Sequence, residues 1–123
     1  MKRLFLYIFV FGFLTIAASA ESKNFIAGFE DIPLMNGFRQ IENDNFSFGN
    51  EETRYIETQI VADNKKNFTE VKKFYTESLK QLGWRESVNT TSGIRFYREN
   101  DVLEINLISK FPLKIRILLK NRV

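Results

Sequence analysis

The sequence predicts an α+β domain in which a single amphipathic helix packs on a curved antiparallel β-sheet of about five or six strands, preceded by an extended arm. Three observations carry this. Apolar residues repeat at three and four over residues 68–82, the period changes to two from Trp84 onward, and a helix-stopping glycine, Gly83, stands between the two patterns.

The chain opens with Lys2 and Arg3, an apolar run from Leu4 to Ile16, and Ala18-Ser19-Ala20 before Glu21. A positive flank, an apolar stretch and a small-x-small triplet predict a secretory signal peptide over residues 1–20, cut between Ala20 and Glu21. The competing reading is an uncleaved anchor, although the run is short of the roughly 20 apolar residues that span a bilayer. Residues 21–123 suffice for one compact core and not for two. The expected division is an arm over 21–45 and an α+β domain over 46–123, with no membrane span after cleavage.

Residues 21–37 have no period and contain Gly28, Pro33 and Gly37, which reads as the arm. Phe46-Ser47-Phe48 before Gly49-Asn50 reads as the hairpin partner of a strand over 53–61. Asn67 can cap the helix, and Glu70, three residues on, can reach back to the cap. Phe68, Val71, Phe74, Tyr75, Leu79 and Leu82 draw its apolar stripe, and Lys72, Lys73, Glu77, Lys80 and Gln81 fill the other side. Four short strands follow, over 84–88, 94–99, 103–108 and 114–120, with turns at 89–93, at Asn100-Asp101 and at Pro112. In the last strand Ile115, Ile117 and Leu119 alternate with Lys114, Arg116, Leu118 and Lys120, which makes Leu118 an exposed apolar residue among bases.

The arm segment Gly28-Phe29-Glu30-Asp31-Ile32-Pro33-Leu34-Met35, the run from Val71 to Trp84 ending in Leu82-Gly83-Trp84, and Phe96-Tyr97-Arg98 followed by Leu103-Glu104-Ile105 resemble a family of small secreted alphaproteobacterial proteins of unknown function. The resemblance spans most of residues 21–123. It implies an exported α+β domain and carries no functional residues with it.

Composition limits the chemistry. The chain has no His and no Cys, so Ser-His and Cys-His nucleophile pairs are excluded and zinc would need carboxylates alone. Its six glycines are scattered, without a phosphate-cradling loop. Two carboxylates can still hydrolyse a glycosidic bond, but the acids fall mainly on turns and on the solvent side of the helix, so the expectation is a non-enzyme without cofactor or metal. The formal net charge is +3, and export would remove two bases and no acid, leaving +1. That balance gives no reason to expect nucleic acid. An exported domain without disulfides must be held by packing, to which nine Phe beyond residue 20 and Trp84 contribute.

The expected function is that of a periplasmic or secreted domain of a Gram-negative bacterium that binds an envelope protein or a cell-wall or lipid component. One candidate docking segment is Phe29, Glu30, Asp31, Ile32, Leu34 and Met35, with apolar side chains fitting a partner and acids setting register. The same residues serve equally as a cover over one end of the domain's own core, which is the preferred reading. Trp84, directly after a helix stop, is expected to pack on the last helical turn rather than offer a sugar platform. Arg95, Tyr97 and Arg98 suggest a basic-aromatic surface or ordinary sheet exterior, and 111–120 suggest contact with anionic lipid or a last strand. The alternative function is a small apolar-ligand carrier with a cavity lined by Phe68, Phe74, Phe96, Ile105 and Ile117.

Overall fold

The computed structural model describes residues 24–29, 31–49, 54–63 and 65–121, without the side chains of 42–48. The elements are β1 (Phe38–Gly49), β2 (Arg54–Ala62), α1 (Phe68–Gln81), β3 (Arg85–Asn89), β4 (Gly93–Arg98), β5 (Asp101–Lys110) and β6 (Leu113–Asn121). The six strands form one sheet in the order β1-β2-β6-β5-β4-β3, every neighbouring pair antiparallel. Helix α1 therefore carries the chain from β2, next to one edge, to β3 at the opposite edge, and crosses the sheet on the way.

Register decides which side chains meet the helix, because directly paired residues share a face. One row runs Ile56, Leu119, Leu103, Phe96; the next runs Thr58, Ile117, Ile105, Ile94. These rows are buried or nearly so, and they join Val71, Tyr75 and Leu79 of α1 in one core. Burying each such side chain contributes about 1.5–3 kcal/mol. The helical stripe is narrower than its spacing predicts. Phe68, Val71, Tyr75 and Leu79 are buried, Phe74 is half-buried with its ring edge-on to Tyr75 at 4.8 Å, and Leu82 is exposed.

Both helix ends follow the sequence. The Asn67 side chain accepts from the Glu70 backbone N–H at 2.9 Å, while the Glu70 carboxylate accepts from the Asn67 amide at 3.3 Å instead of from the cap's own N–H. At the other end Gly83 has φ +93°, its N–H donates to the Lys80 carbonyl at 3.2 Å, and the Trp84 N–H donates to the Leu79 carbonyl at 3.0 Å. That bonding is the Schellman arrangement, and Leu79 and Trp84 both lie in the core beside it.

The arm differs from its expected course. Strand β1 already begins at Phe38, so the arm ends at residue 37 rather than 45. Upstream the chain folds back on itself: Phe25 bridges Pro33, Ile26 and Leu34 donate to the carbonyls of Ile32 and Asn24, and Gly28 turns the chain at φ +90°. This places Ile26, Phe29 and Ile32 in the core at 1 % exposure each. The Gln40 side chain accepts from the Ala27 N–H and donates to the Ala27 carbonyl, and the Tyr75 hydroxyl donates to the Pro33 carbonyl at 2.7 Å.

Strand β5 is interrupted by a bulge near its end. Leu107 pairs with Ile115 on the helix side, Ser109 with Lys114 on the outer side, and Lys110 with Leu113 on the helix side again. Ile108 is the extra residue, and it shifts the alternation by one.

Candidate functional site

The bulge brings Lys110 to the same side as the start of α1. There the β5–β6 turn, Phe111-Pro112, faces the β2–α1 connection across an open groove of about 660 Å³ that is lined by Lys65, Lys66, Asn67, Lys110, Phe111 and Leu113 among others. A second cleft of about 340 Å³ adjoins it, shares Lys66, Asn67, Lys110, Phe111 and Leu113, and reaches Phe68 and Thr91. Leu113 is buried in the core and anchors the turn, whereas Phe111 is 93 % exposed.

Lys65, Lys66 and Lys110 make no ion pair among the described residues. The acid in the groove, Asp63, is neutralised by Arg39 Nε at 3.0 Å. Lys72 is occupied differently: its ammonium donates to the Asn89 side chain at 2.9 Å and the Thr90 carbonyl at 2.8 Å, which ties the β3–β4 turn to the helix. The groove thus presents three cations, without an ion pair among the described residues, around one unburied ring.

The candidate docking segment is spent inside the molecule. Phe29 and Ile32 are buried, Leu34 and Met35 pack half-buried against the core, and Glu30 lies outside the described residues, as do Ala20 and Glu21 at the expected cleavage point. Asp31 accepts two hydrogen bonds from the Arg98 guanidinium, at 2.8 and 3.3 Å, and these hold its carboxyl below the usual range. Arg98 also donates to the Leu82 carbonyl at 3.1 Å and stacks over Trp84 at 4.3 Å. Arm, helix end and β4 are fastened together at this point. Trp84 is buried, as expected of an indole packed on the helix end, and its Nε1 has no hydrogen-bond partner.

Arg95, Tyr97 and Arg98 do not form one surface, because Arg98 points to the helix side while Arg95 and Tyr97 share the outer face. On that face Arg95 and Lys120 reach Glu104 at 3.2 and 3.8 Å, Arg116 approaches Glu57 at 3.7 Å, and the Tyr55 hydroxyl donates to Glu57 at 2.7 Å. The hydrogen bond to Glu57 raises the Tyr55 hydroxyl above its ordinary range. Leu118, expected to be exposed, is buried instead. Its cross-strand neighbours are Glu57 and Glu104, and the stems of Arg116 and Lys120 flank it, so paired charges roof it over.

The residues proposed for a carrier cavity are packed in the core or, for Phe74, against it. Neither groove is lined by Phe74, Phe96, Ile105 or Ile117. Among the described residues no group of three or more acids is placed to hold a metal ion, and no helix is long and apolar enough to cross a membrane.

No protein-family model, curated protein or solved structure matches the chain.

The sequence holds the groove's signals, the dibasic Lys65-Lys66 and the triplet Lys110-Phe111-Pro112, but 45 residues apart by number they carry no hint of meeting. Pairing of β2 with β6 and the bulge in β5 join them.

Proposed function

We propose that this chain is an exported, non-enzymatic binding domain of the cell envelope, and that it engages an anionic envelope component through the Phe111 groove. The observation that carries the reading is the convergence of three lysines, without ion pairs among the described residues, on a phenylalanine left 93 % exposed. Elsewhere Arg39, Arg54, Arg95, Arg98, Arg116 and Lys120 are held by acids, and the next most exposed large apolar residue among those described, Phe25, is 54 % exposed. A basic groove with an unburied aromatic at its lip is suited to an anionic surface with apolar depth. Export rests on the N-terminal pattern from Lys2 to Ala20. The non-enzymatic assignment rests on a sequence without His or Cys and on acids engaged in ion pairs.

One experiment reads export and retention together. Expressed in a Gram-negative host, the protein should be recovered with the washed envelope fraction, and its mass should begin at Glu21. Combining Phe111→Ser with Lys65→Gln, Lys66→Gln and Lys110→Gln should release it to the soluble periplasmic fraction without changing its melting temperature. Equal retention of both proteins, or full-length protein held in the cytoplasm, overturns the reading.

A further inference from the structure

We propose that the ligand of the groove is the surface of an anionic lipid bilayer, with Lys65, Lys66 and Lys110 on headgroup phosphates and Phe111 inserted at the acyl-chain boundary. The proposal rests on the groove being the recognition surface, and adds what it recognises.

The arrangement of the side chains favours a bilayer over a protein partner. A protein hot spot is a cluster of large apolar anchors within a rim that excludes water. Among the residues lining this groove, Phe111 is the one large apolar side chain that is exposed, and it stands at the tip of a hairpin. A lone ring flanked by flexible cations fits an interface, where the ring descends below the headgroups and the ammonium groups stay at phosphate level.

The choice of cation points the same way. All three are lysines, and none is an arginine. A guanidinium fixes one phosphate in a rigid fork, whereas ammonium groups on four-carbon stems act as point charges that follow a fluid array. Of the acids nearby, Asp63 is paired with Arg39, and Glu70, turned toward the Asn67 amide at 3.3 Å, lines neither groove. Lys72, on the next turn of the helix, is held to the β3–β4 turn and adds positive potential without being free to reach a headgroup.

The test is co-sedimentation of the full protein with vesicles of phosphatidylglycerol mixed into phosphatidylcholine, against vesicles of phosphatidylcholine alone. The latter measure whatever the apolar N-terminal run contributes by itself. Wild type should partition more strongly onto the anionic vesicles, and the excess should vanish near 1 M salt, where the screening length is about 3 Å. Each Lys→Gln change should lower the excess about fivefold, and all three together on the order of a hundredfold. Phe111→Ser should lower it by about tenfold. Lys80→Gln, the same charge change at the far end of the helix, should leave it unaltered, and all variants should melt with the wild type.

Equal partitioning onto both vesicle types overturns the lipid assignment. If envelope retention nevertheless still depends on Phe111 and the three lysines, the binding function stands and the partner is a protein. Displacement from anionic vesicles by inorganic phosphate at matched ionic strength overturns it in favour of a pocket for a free anion.

Discussion

Leu79 and Phe74 sit five residues apart on one helix, and both belong to the apolar stripe that the spacing of three and four predicts. The structure separates them. Leu79 is fully buried beneath the sheet, and Phe74 lies at the margin, half-buried, with its ring against Tyr75. Leu79→Ala is expected to cost roughly 2–5 kcal/mol, because the vacated space is closed on all sides, and Phe74→Ala less than half as much. Denaturant melts of the two variants check this, and equal losses would show that Phe74 is as central as Leu79. A helical stripe tells which side of a helix faces inward but not how wide a strip the sheet covers. The same limit explains Leu118: alternation within one strand assigns it to the outer face correctly, but its cover comes from Glu57 and Glu104 on two other strands.

Elements were the most legible level of this chain, since their ends are written in single residues. Asn67 opens the helix and Gly83 closes it within a residue of expectation, and the four strands after Gly83 follow from alternation. A Cβ added at Gly83 would meet only Arg98 Cδ at 3.6 Å, an ordinary contact, so the glycine is required by its dihedral angle and not by space. Gly83→Val is therefore expected to cost on the order of 1–2 kcal/mol or more, and Gly83→Asn clearly less, since asparagine tolerates the left-handed region. Urea midpoints rank the two variants, and Trp84 fluorescence should shift in the valine variant as the chain is re-aimed. Equal and near-zero effects would place the helix stop elsewhere. The arm was the least legible element. Its fold-back relies on Gly28 and on hydrogen bonds between Asn24 and Leu34, none of which leaves a period in the sequence.

Over the whole molecule, one contact closes the fold: Asp31 from the arm, Arg98 from β4 and the carbonyl of Leu82 at the helix end meet in a single cluster. Arg98 lowers the Asp31 carboxyl in the folded chain, so the folded state binds fewer protons than the unfolded one at acid pH. The stabilisation is complete above the ordinary carboxyl value of about 3.9 and is lost as pH falls through the lower folded value. Asp31→Asn should be less stable than wild type at neutral pH, with the difference shrinking as pH falls below the ordinary carboxyl value and through the lowered one. Thermal melts across that range test this, and a difference that persists undiminished in acid would mean that charge plays no part.

The bulge at Ile108 carries a consequence for how such a surface can vary over time. Substitution at Lys110 or Phe111 changes what the groove offers, one group at a time. Loss of Ile108 would leave Leu107, Ser109 and Lys110 facing in, out and in as they already do, so Lys110 would keep its place beside the helix; loss of the bulge with all ten residues of β5 retained would instead send Lys110 to the outer face. The groove is in this sense set by pairing as well as by spelling. A lineage could gain or lose it through a change that only moves the bulge along β5, a step that a residue-by-residue comparison of the two sequences would score as almost nothing.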